Sequence, residues 1–473
     1  MHKSIVLLTA LAWLSGCAVG PDYQPVEPEA PERFLEAPAA QSAADEQRFW
    51  SGFEDPMLAG LIRQTLDANR DLRAALARYQ RAEALLRGSR AEQLPNVGVS
   101  ASAAEQHLAD VERTPPGAGD ERVELYQAGV DLSWELDLFG RLRRASESQR
   151  AELGAAGADL AALQVALVGQ LATSYFELRG LQQQLLVARS NVDNQRQSLE
   201  IVRSRVGAGR GTAFDEVRAV SQLEATRAVI PDLQAAVRAR MFRIAVLTGQ
   251  NPAALVDELA PPAPLPESLP VIPVGSPGDV LRRRPDIRAA ERRLAAASAR
   301  IGVATADLFP SFSLDALIGS VASDSGDLFS AGAETRRVAL GVDWTFLDFG
   351  RVRSRIDAAD ADSQAALANY EQAVLLALEE TETQLVRYAR SRERSERLGA
   401  ATDAASEAAE LARTRYRQGF IGFFEVLAAE QELIDTRDAL IESRTAETLA
   451  MVNIYRALAG APADAAPIAS AND

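Results

Sequence analysis

The chain repeats itself, and that duplication constrains its fold more than any other feature. Trp134-Glu135-Leu136-Asp137-Leu138-Phe139-Gly140-Arg141 returns as Trp344-Thr345-Phe346-Leu347-Asp348-Phe349-Gly350-Arg351, about 210 residues further on. Upstream, Asp71-Leu72-Arg73-Ala74-Ala75 answers Asp286-Ile287-Arg288-Ala289-Ala290, and Leu94-Pro95 answers Phe309-Pro310. Downstream, Gly209 and Phe214 answer Gly419 and Phe424, and Met241-Phe242-Arg243-Ile244 answers Met451-Val452-Asn453-Ile454. Matches in one order along a whole unit mean that one structural unit is used twice.

Each unit opens with two segments of alternating character. Val97, Val99, Ala101 and Ala103 oppose Gly98, Ser100, Ser102 and Ala104; Tyr126, Ala128, Val130, Leu132 and Trp134 oppose Gln127, Gly129, Asp131 and Ser133. In the second unit Phe312, Leu314, Ala316 and Ile318 oppose Ser311, Ser313, Asp315 and Gly319, with Leu317 an apolar exception. Val338, Leu340, Val342, Trp344 and Phe346 oppose Ala339, Gly341, Asp343 and Thr345. Period-2 patterning over roughly 10 residues is what a tilted strand needs to cross hydrocarbon. The expected strands are 97–107, 123–134, 311–320 and 336–346, with polar loops inside each pair. Tyr126, Trp134, Trp344 and Phe346 are expected to form a membrane-interface belt. The competing reading is a half-buried soluble sandwich.

Four strands cannot close a membrane barrel, because an open edge leaves N–H and C=O groups unpaired in lipid. Membrane barrels begin at about eight strands. Lipid-facing strands therefore require oligomerisation, and three copies would supply twelve.

Helices fill the rest. From Arg141 to Val206 there is no proline and there are four glycines, Gly154, Gly157, Gly169 and Gly180. Leu185, Val192, Leu199 and Val206 fall seven apart, with Ala188, Gln195 and Val202 between them; Leu223, Ile230, Val237 and Ile244 repeat the spacing on the return. Such heptads predict antiparallel coiled-coil arms. Long helices are expected over 141–206, 213–248, 351–418 and 423–459, the first roughly 100 Å long at 1.5 Å per residue. They turn at Gly207-Ala208-Gly209-Arg210-Gly211-Thr212, with Thr212 as N-cap, and at Gly419-Phe420-Ile421-Gly422. Pro231 predicts a kink. The first structural repeat is thus 51–249 and the second 278–460. The intervening 250–277 is proline-rich, with eight prolines from Asn251 to Pro277, and is read as an irregular linker. Residues 461–473 read as a disordered tail.

The only cysteine sets the expected address. Lys3 precedes a short apolar run ending in Leu14-Ser15-Gly16-Cys17, which is signal-peptide length and too short to span a bilayer. The ending resembles the bacterial lipobox, with 1–16 a removed signal peptide and Cys17 the lipidated first residue. Ala18 rather than Asp after that cysteine favours the outer membrane. Residues 17–50 are rich in proline and glutamate and read as an extended leader.

Cys17-Ala18-Val19-Gly20-Pro21-Asp22-Tyr23, Asp71 to Ala75, Leu136 to Gly140, Arg282-Arg283-Arg284-Pro285-Asp286-Ile287 and Arg415-Tyr416-Arg417-Gln418-Gly419 together resemble the TolC-like outer membrane factor family, lipoprotein branch. The match runs in order through nearly the whole mature chain. The resemblance implies a mixed α and β membrane protein. In it, a homotrimer shares a twelve-stranded outer membrane β-barrel and a twelve-helix periplasmic α-barrel. It implies a passive duct for small molecules, partnered by a periplasmic adaptor (membrane fusion) protein and an inner membrane RND-type pump. It also implies a periplasmic gate carried by Asp215, Tyr416, Phe424, Glu425 and Ala428. Ala428 departs from the aspartate of well-known members, so Glu425 is the only acidic ring residue of the two. Tyr416 is expected to pair with Asp215, either as a latch or as an ordinary interhelical bond. Adaptor contacts are expected at Gly209, Arg210, Gly211, Gly419, Phe420, Ile421 and Gly422. Three glutamates around one axis would repel one another and attract cations, and a phenylalanine ring beside them would seal against water. The competing readings are a solvated tip charge for Glu425 and a coiled-coil core residue for Phe424.

Composition removes other classes. A net charge of −16 disfavours nucleic acid, whose phosphates need a basic face. There is no run of about 18 or more uncharged apolar residues for a transmembrane helix. His2 falls within the signal and His107 stands alone, so no enzyme site is expected. No cofactor is expected either, beyond covalent lipid on Cys17. Glu379, Glu380 and Glu382 read as a solvated helix face, and Arg282-Arg283-Arg284 as packing against acidic neighbours. Two alternatives stay open: a type I secretion channel of the same fold, and a lipid-anchored coiled-coil envelope tether that forms no pore.

Overall fold

A computed structural model describes residues 18–35, 49–113, 115, 122–270 and 274–458. The expected signal peptide, Cys17 and the 461–473 tail lie outside the described residues. The chain divides into two compact units. One comprises the chain up to Glu27 with Arg78–Gly157 and Ala289–Glu371; the other comprises Pro28–Ala77, Ala158–Arg288 and the chain from Gln372 onward.

The first unit is built on β1 (Asn96–His107), β2 (Arg122–Leu136), β3 (Ser311–Ala322) and β4 (Glu334–Asp343), an antiparallel sheet in the order β1-β2-β3-β4. β2 and β3 come from different repeats, so the duplication meets in the middle of the sheet. The register aligns the apolar face in rows: Val97, Leu132, Ala316 and Val338 form one, and Val99, Val130 and Ile318 another, which ends on Arg336 near the start of the edge strand β4. That face is open. Val99 is 84% exposed and Val338 77%, and Val97, Ile318, Leu340 and Val342 are exposed with them. A soluble sandwich would cover these side chains with a second layer, and among the described residues this sheet is single. β1 and β4 each pair on one side only, leaving two unpaired edges.

β4 starts two residues before and stops three residues short of the expected 336–346. It ends at Asp343 opposite Ser311, the first residue of β3, so an edge strand runs out of partner there, whereas β2 is paired through Leu136. Trp344 and Phe346 therefore lie beyond the strand rather than in it. Even so, the two tryptophans are held alike: Trp134 Nε1 donates to the Gln93 carbonyl at 3.0 Å and Trp344 Nε1 to the Leu308 carbonyl at 3.1 Å.

The repeated Phe-Gly-Arg segment, with an aspartate just before it in each unit, is a strand-to-helix device. Asp137 accepts from the backbone N–H groups of Leu142 and Arg143 at 3.1 and 2.9 Å, capping α3 (Arg141–Gly207). Asp348 accepts from Gly350 and Val352 at 2.9 and 2.6 Å at the start of α8 (Arg351–Gln418). These backbone donors hold the Asp348 carboxyl below its usual range. The chain reverses through Gly140 and Gly350 at φ +83° and +89°, a region that favours glycine. Asp137→Ala is expected to cost about 1 kcal/mol of stability, the usual worth of an N-cap, read as an earlier thermal unfolding transition in detergent.

The described start of the leader is seated on the sheet unit. Val19 N–H donates to the Phe139 carbonyl at 3.1 Å. The buried Arg144 guanidinium donates to the carbonyls of Val19 and Gly20 and, at 2.6 Å, to Asp22. Gly20 sits at φ +90° where any side chain would collide with the Gly302 backbone.

The second unit is helical. It holds α1 (Pro56–Ala68), the start of α2 (Arg70–Ala91), most of α3, then α4 (Ala213–Leu247), α5 (Val256–Leu259), α6 (Pro277–Arg283) and the start of α7 (Pro285–Ala306). The rest of α8 and α9 (Phe423–Leu458) complete it. A core of Val168, Leu171, Tyr175 and Phe176 from α3 packs with Leu58, Ile244 and Tyr455. One stretch of α3 is apolar enough by length and composition to cross a membrane, yet Val168, Leu171, Ala172 and Leu178 are fully buried in this core.

The proline-rich segment is more ordered than a linker reading predicts. Prolines cannot donate backbone bonds, so α3 supplies the donors: Gln182 reaches the Leu259 carbonyl at 2.8 Å, Arg179 that of Pro261 at 3.0 Å and Gln183 that of Ala263 at 3.1 Å. α4 continues through Pro231 as one helix. The acidic group on α8 is not simply solvated. Glu380 pairs with Arg284 at 2.8 Å and Glu382 accepts from Leu35 N–H at 3.0 Å.

Candidate functional site

The two helical turns are built alike. At the end of α3, Gly209 lies at φ +68°, its N–H bonds the Val206 carbonyl, and Arg210 N–H bonds that of Arg205. At the end of α8, Gly419 lies at φ +86°, with Gly419 to Tyr416 and Phe420 to Arg415. Both are Schellman-type stops, in which a left-handed glycine lets the last carbonyls be satisfied. Arg210, Gly422 and Phe420 are exposed, Phe420 by 77%. Gly211 and Ile421 are half-buried, Ile421 against the apolar cluster beneath.

That cluster comes from the heptad positions: Val192, Leu199 and Val202 of α3, Ala219 and Leu223 of α4, Tyr416 of α8, and Phe423 and Val426 of α9. The buried phenylalanine is therefore Phe423, whose ring lies 5.7 Å from that of Tyr416. Phe424, the next residue, points outward and is 61% exposed. Glu425 and Ala428 are exposed with it. The core reading of Phe424 is thus excluded within one chain.

Asp215 and Tyr416 do not form the expected pair. Asp215 accepts from the Thr212 N–H at 3.1 Å and hydroxyl at 2.7 Å, while its own N–H bonds Thr212 Oγ1 at 3.2 Å. This is a capping box, and it commits the carboxylate to the start of its own helix. Tyr416, 6% exposed, is engaged by Arg205 instead. The guanidinium stands 4.4 Å from the ring centre and donates to the Tyr416 carbonyl. Burial pushes the phenol pKa up, Arg205 opposes this, and the charge of Asp215 adds to it. Glu425 occupies on α9 the position that Asp215 holds on α4, the third residue of the helix, where the helix dipole favours an acid.

Above the cluster a polar layer joins three helices. Glu430 of α9, buried, accepts from Ser198 of α3 and Arg413 of α8, both at 2.8 Å. Neither Glu430 nor Arg205 is singled out by the sequence pattern; only the half-buried heptad setting of Arg205 beside Val206 marks it. Among the described residues no three His, Cys, Asp or Glu side chains converge as a metal site requires.

A single antiparallel sheet with an open apolar face, carried by a duplicated chain whose long helices end in matched glycine turns, defines a membrane channel component. The family model for outer membrane efflux proteins matches residues 61–250 and again 277–460, once on each repeat. The chain belongs to this family, whose members are channels of the outer membrane. It is 31% identical over 459 residues to nodulation protein T of Rhizobium leguminosarum bv. trifolii, covering 93% of this chain and 94% of that one. It is 31% identical over 471 residues to the solvent efflux pump outer membrane protein SrpC of Pseudomonas putida, covering 95% and 97%. Among solved structures, the outer-membrane channel OprN superposes with a TM-score of 0.89 at 41% identity, covering 94% of this chain and 99% of that one.

Proposed function

We propose that three copies of this chain close one twelve-stranded barrel in the outer membrane and, with their helices, one periplasmic tunnel through which small molecules leave the cell. The observation that carries the reading is the sheet itself. It has an exposed apolar face, a polar opposite face and two unpaired edges, β1 and β4. Pairing β1 of one copy with β4 of the next satisfies both edges, which hydrocarbon demands.

In this reading Cys17 carries the lipid, and the seated leader from Ala18 to Tyr23 fixes that anchor to the sheet unit. The duct is passive: an inner membrane RND-type pump supplies energy, and a periplasmic adaptor meets the exposed turns at Gly209, Arg210, Gly211, Gly419, Phe420 and Gly422. Relatives named for solvent and toluene efflux support small apolar compounds as cargo. Deleting the gene is expected to raise sensitivity to such compounds, with resistance restored by the intact gene. A photocrosslinker at Arg210 or Phe420 is expected to capture the adaptor of a proton-driven pump in living cells. Capture of an adaptor from an ATP-driven exporter instead moves the assignment to type I secretion. A purified protein that inserts no conductance into a planar bilayer supports the tether.

At the periplasmic end, Phe424 and Glu425 line the constriction and Tyr416 braces it from within. Three Glu425 carboxylates around one axis concentrate cations. A trivalent cation added on the periplasmic side is therefore expected to block conductance. Glu425→Gln is expected to raise the half-blocking concentration about tenfold, as loss of a focused charge ring does. An unchanged block places Glu425 away from the axis.

A further inference from the structure

Arg218, on α4, touches an exposed aromatic from each repeat. Its guanidinium carbon lies 5.5 Å from the centre of the Phe214 ring and 5.1 Å from that of Phe424. Both distances fall within the roughly 6 Å reach of a cation–π contact. Phe214 and Phe424 occupy matching positions in the two repeats, each the second residue of its helix, and they are 67% and 61% exposed.

The neighbouring carboxylates explain why the arginine turns to rings. Asp215, three residues before it, is committed to Thr212. Glu216 is paired with Arg203 at 2.9 Å. The repeat mate of Arg218 is Ala428, one helical turn beyond Phe424. An acid there would lie on the same helix face as Phe424 and compete for the guanidinium. Alanine leaves the cation to the rings.

We infer that Arg218 is a positioning residue of the gate: it clamps Phe214 and Phe424 together and so holds the tips of α4 and α9 in the closed arrangement, taking the place of a second acidic ring. The inference rests on reading these tips as the constriction. Three clamps around the axis put six cation–π contacts against opening.

The test is resting conductance of the purified channel in planar bilayers for Arg218→Ala, Phe424→Ala and the double variant. Arg218→Met serves as a second probe that keeps the aliphatic stem and loses the charge. The expected result is a rise of about tenfold in resting conductance for Arg218→Ala and for Arg218→Met, the order that a few weak contacts per protomer give. The double variant is expected to match Phe424→Ala alone, because Arg218 acts through that ring; a merely structural arginine would add its own effect. If Phe424→Ala opens the channel while both Arg218 variants rest at wild-type conductance, the clamp is overturned and the gate stands. If Phe424→Ala and Glu425→Gln also leave resting conductance and cation block unchanged, the gate reading itself falls.

Discussion

Replacing Val130 with arginine is expected to abolish assembly of the channel. Val130 stands midway along β2 between Tyr126 and Trp134, in the row that joins Val99 to Ile318 and ends on Arg336 near the start of the edge strand β4. A cation at the hydrocarbon midplane of a β-barrel costs about 2–4 kcal/mol. Three copies multiply that to about 6–12 kcal/mol, which rivals the whole stability of a typical domain. Membrane fractions should then contain no heat-modifiable oligomer, and resistance should match the deletion strain. Asp131→Asn, one residue on and facing the opposite side, is expected to assemble normally. Normal assembly of Val130→Arg would mean that this face does not meet lipid.

The second large effect is expected at Arg284. Its side chain is buried and donates to the Ala457 carbonyl at 2.8 Å while pairing with Asp286 and Glu380, each at 2.8 Å. It thereby ties the start of α7 to α8 and to the end of α9. Arg284→Ala strands a carbonyl and two carboxylates. Breaking a buried ion pair costs about 3–5 kcal/mol, and the value here should sit near the lower end because both carboxylates reach water. A sharply lowered melting temperature in detergent and reduced steady-state abundance are the expected readouts. Arg282→Ala should leave the melting temperature unchanged, since Arg282 is exposed and pairs only with Asp279 on its own helix. Within the triple arginine run, Arg284 is therefore structural and Arg282 a surface residue.

The elements that were legible in the sequence are those with a local physical cause. Heptads and the absence of proline mark α3 and α8, and the matched glycines mark both turns. Alternation marks the strands, because side-chain direction flips at every residue. β4 departs from its pattern at both ends: it starts at Glu334, and the pattern runs on through Phe346 although the pairing partner stops at Ser311. Contacts set by tertiary placement were not legible. Asp215 could serve Tyr416 or its own helix, and the nearby Thr212 cap wins. Phe423 and Phe424 are chemically identical neighbours, so only the packing shows that Phe423 enters the core and Phe424 the surface. The order in the proline-rich segment depends on amide and guanidinium donors about 80 residues upstream on α3, far beyond the reach of any local pattern.

The most direct measurement of the central claim is an electron cryo-microscopy reconstruction of the full-length lipidated protein in a lipid nanodisc. It should show three copies around one axis, with β1 of each hydrogen-bonded to β4 of its neighbour and the row containing Val99, Val130 and Ile318 facing lipid. A particle in which β1 and β4 stay unpaired, or in which that row is covered by protein, would contradict the shared barrel and with it the duct.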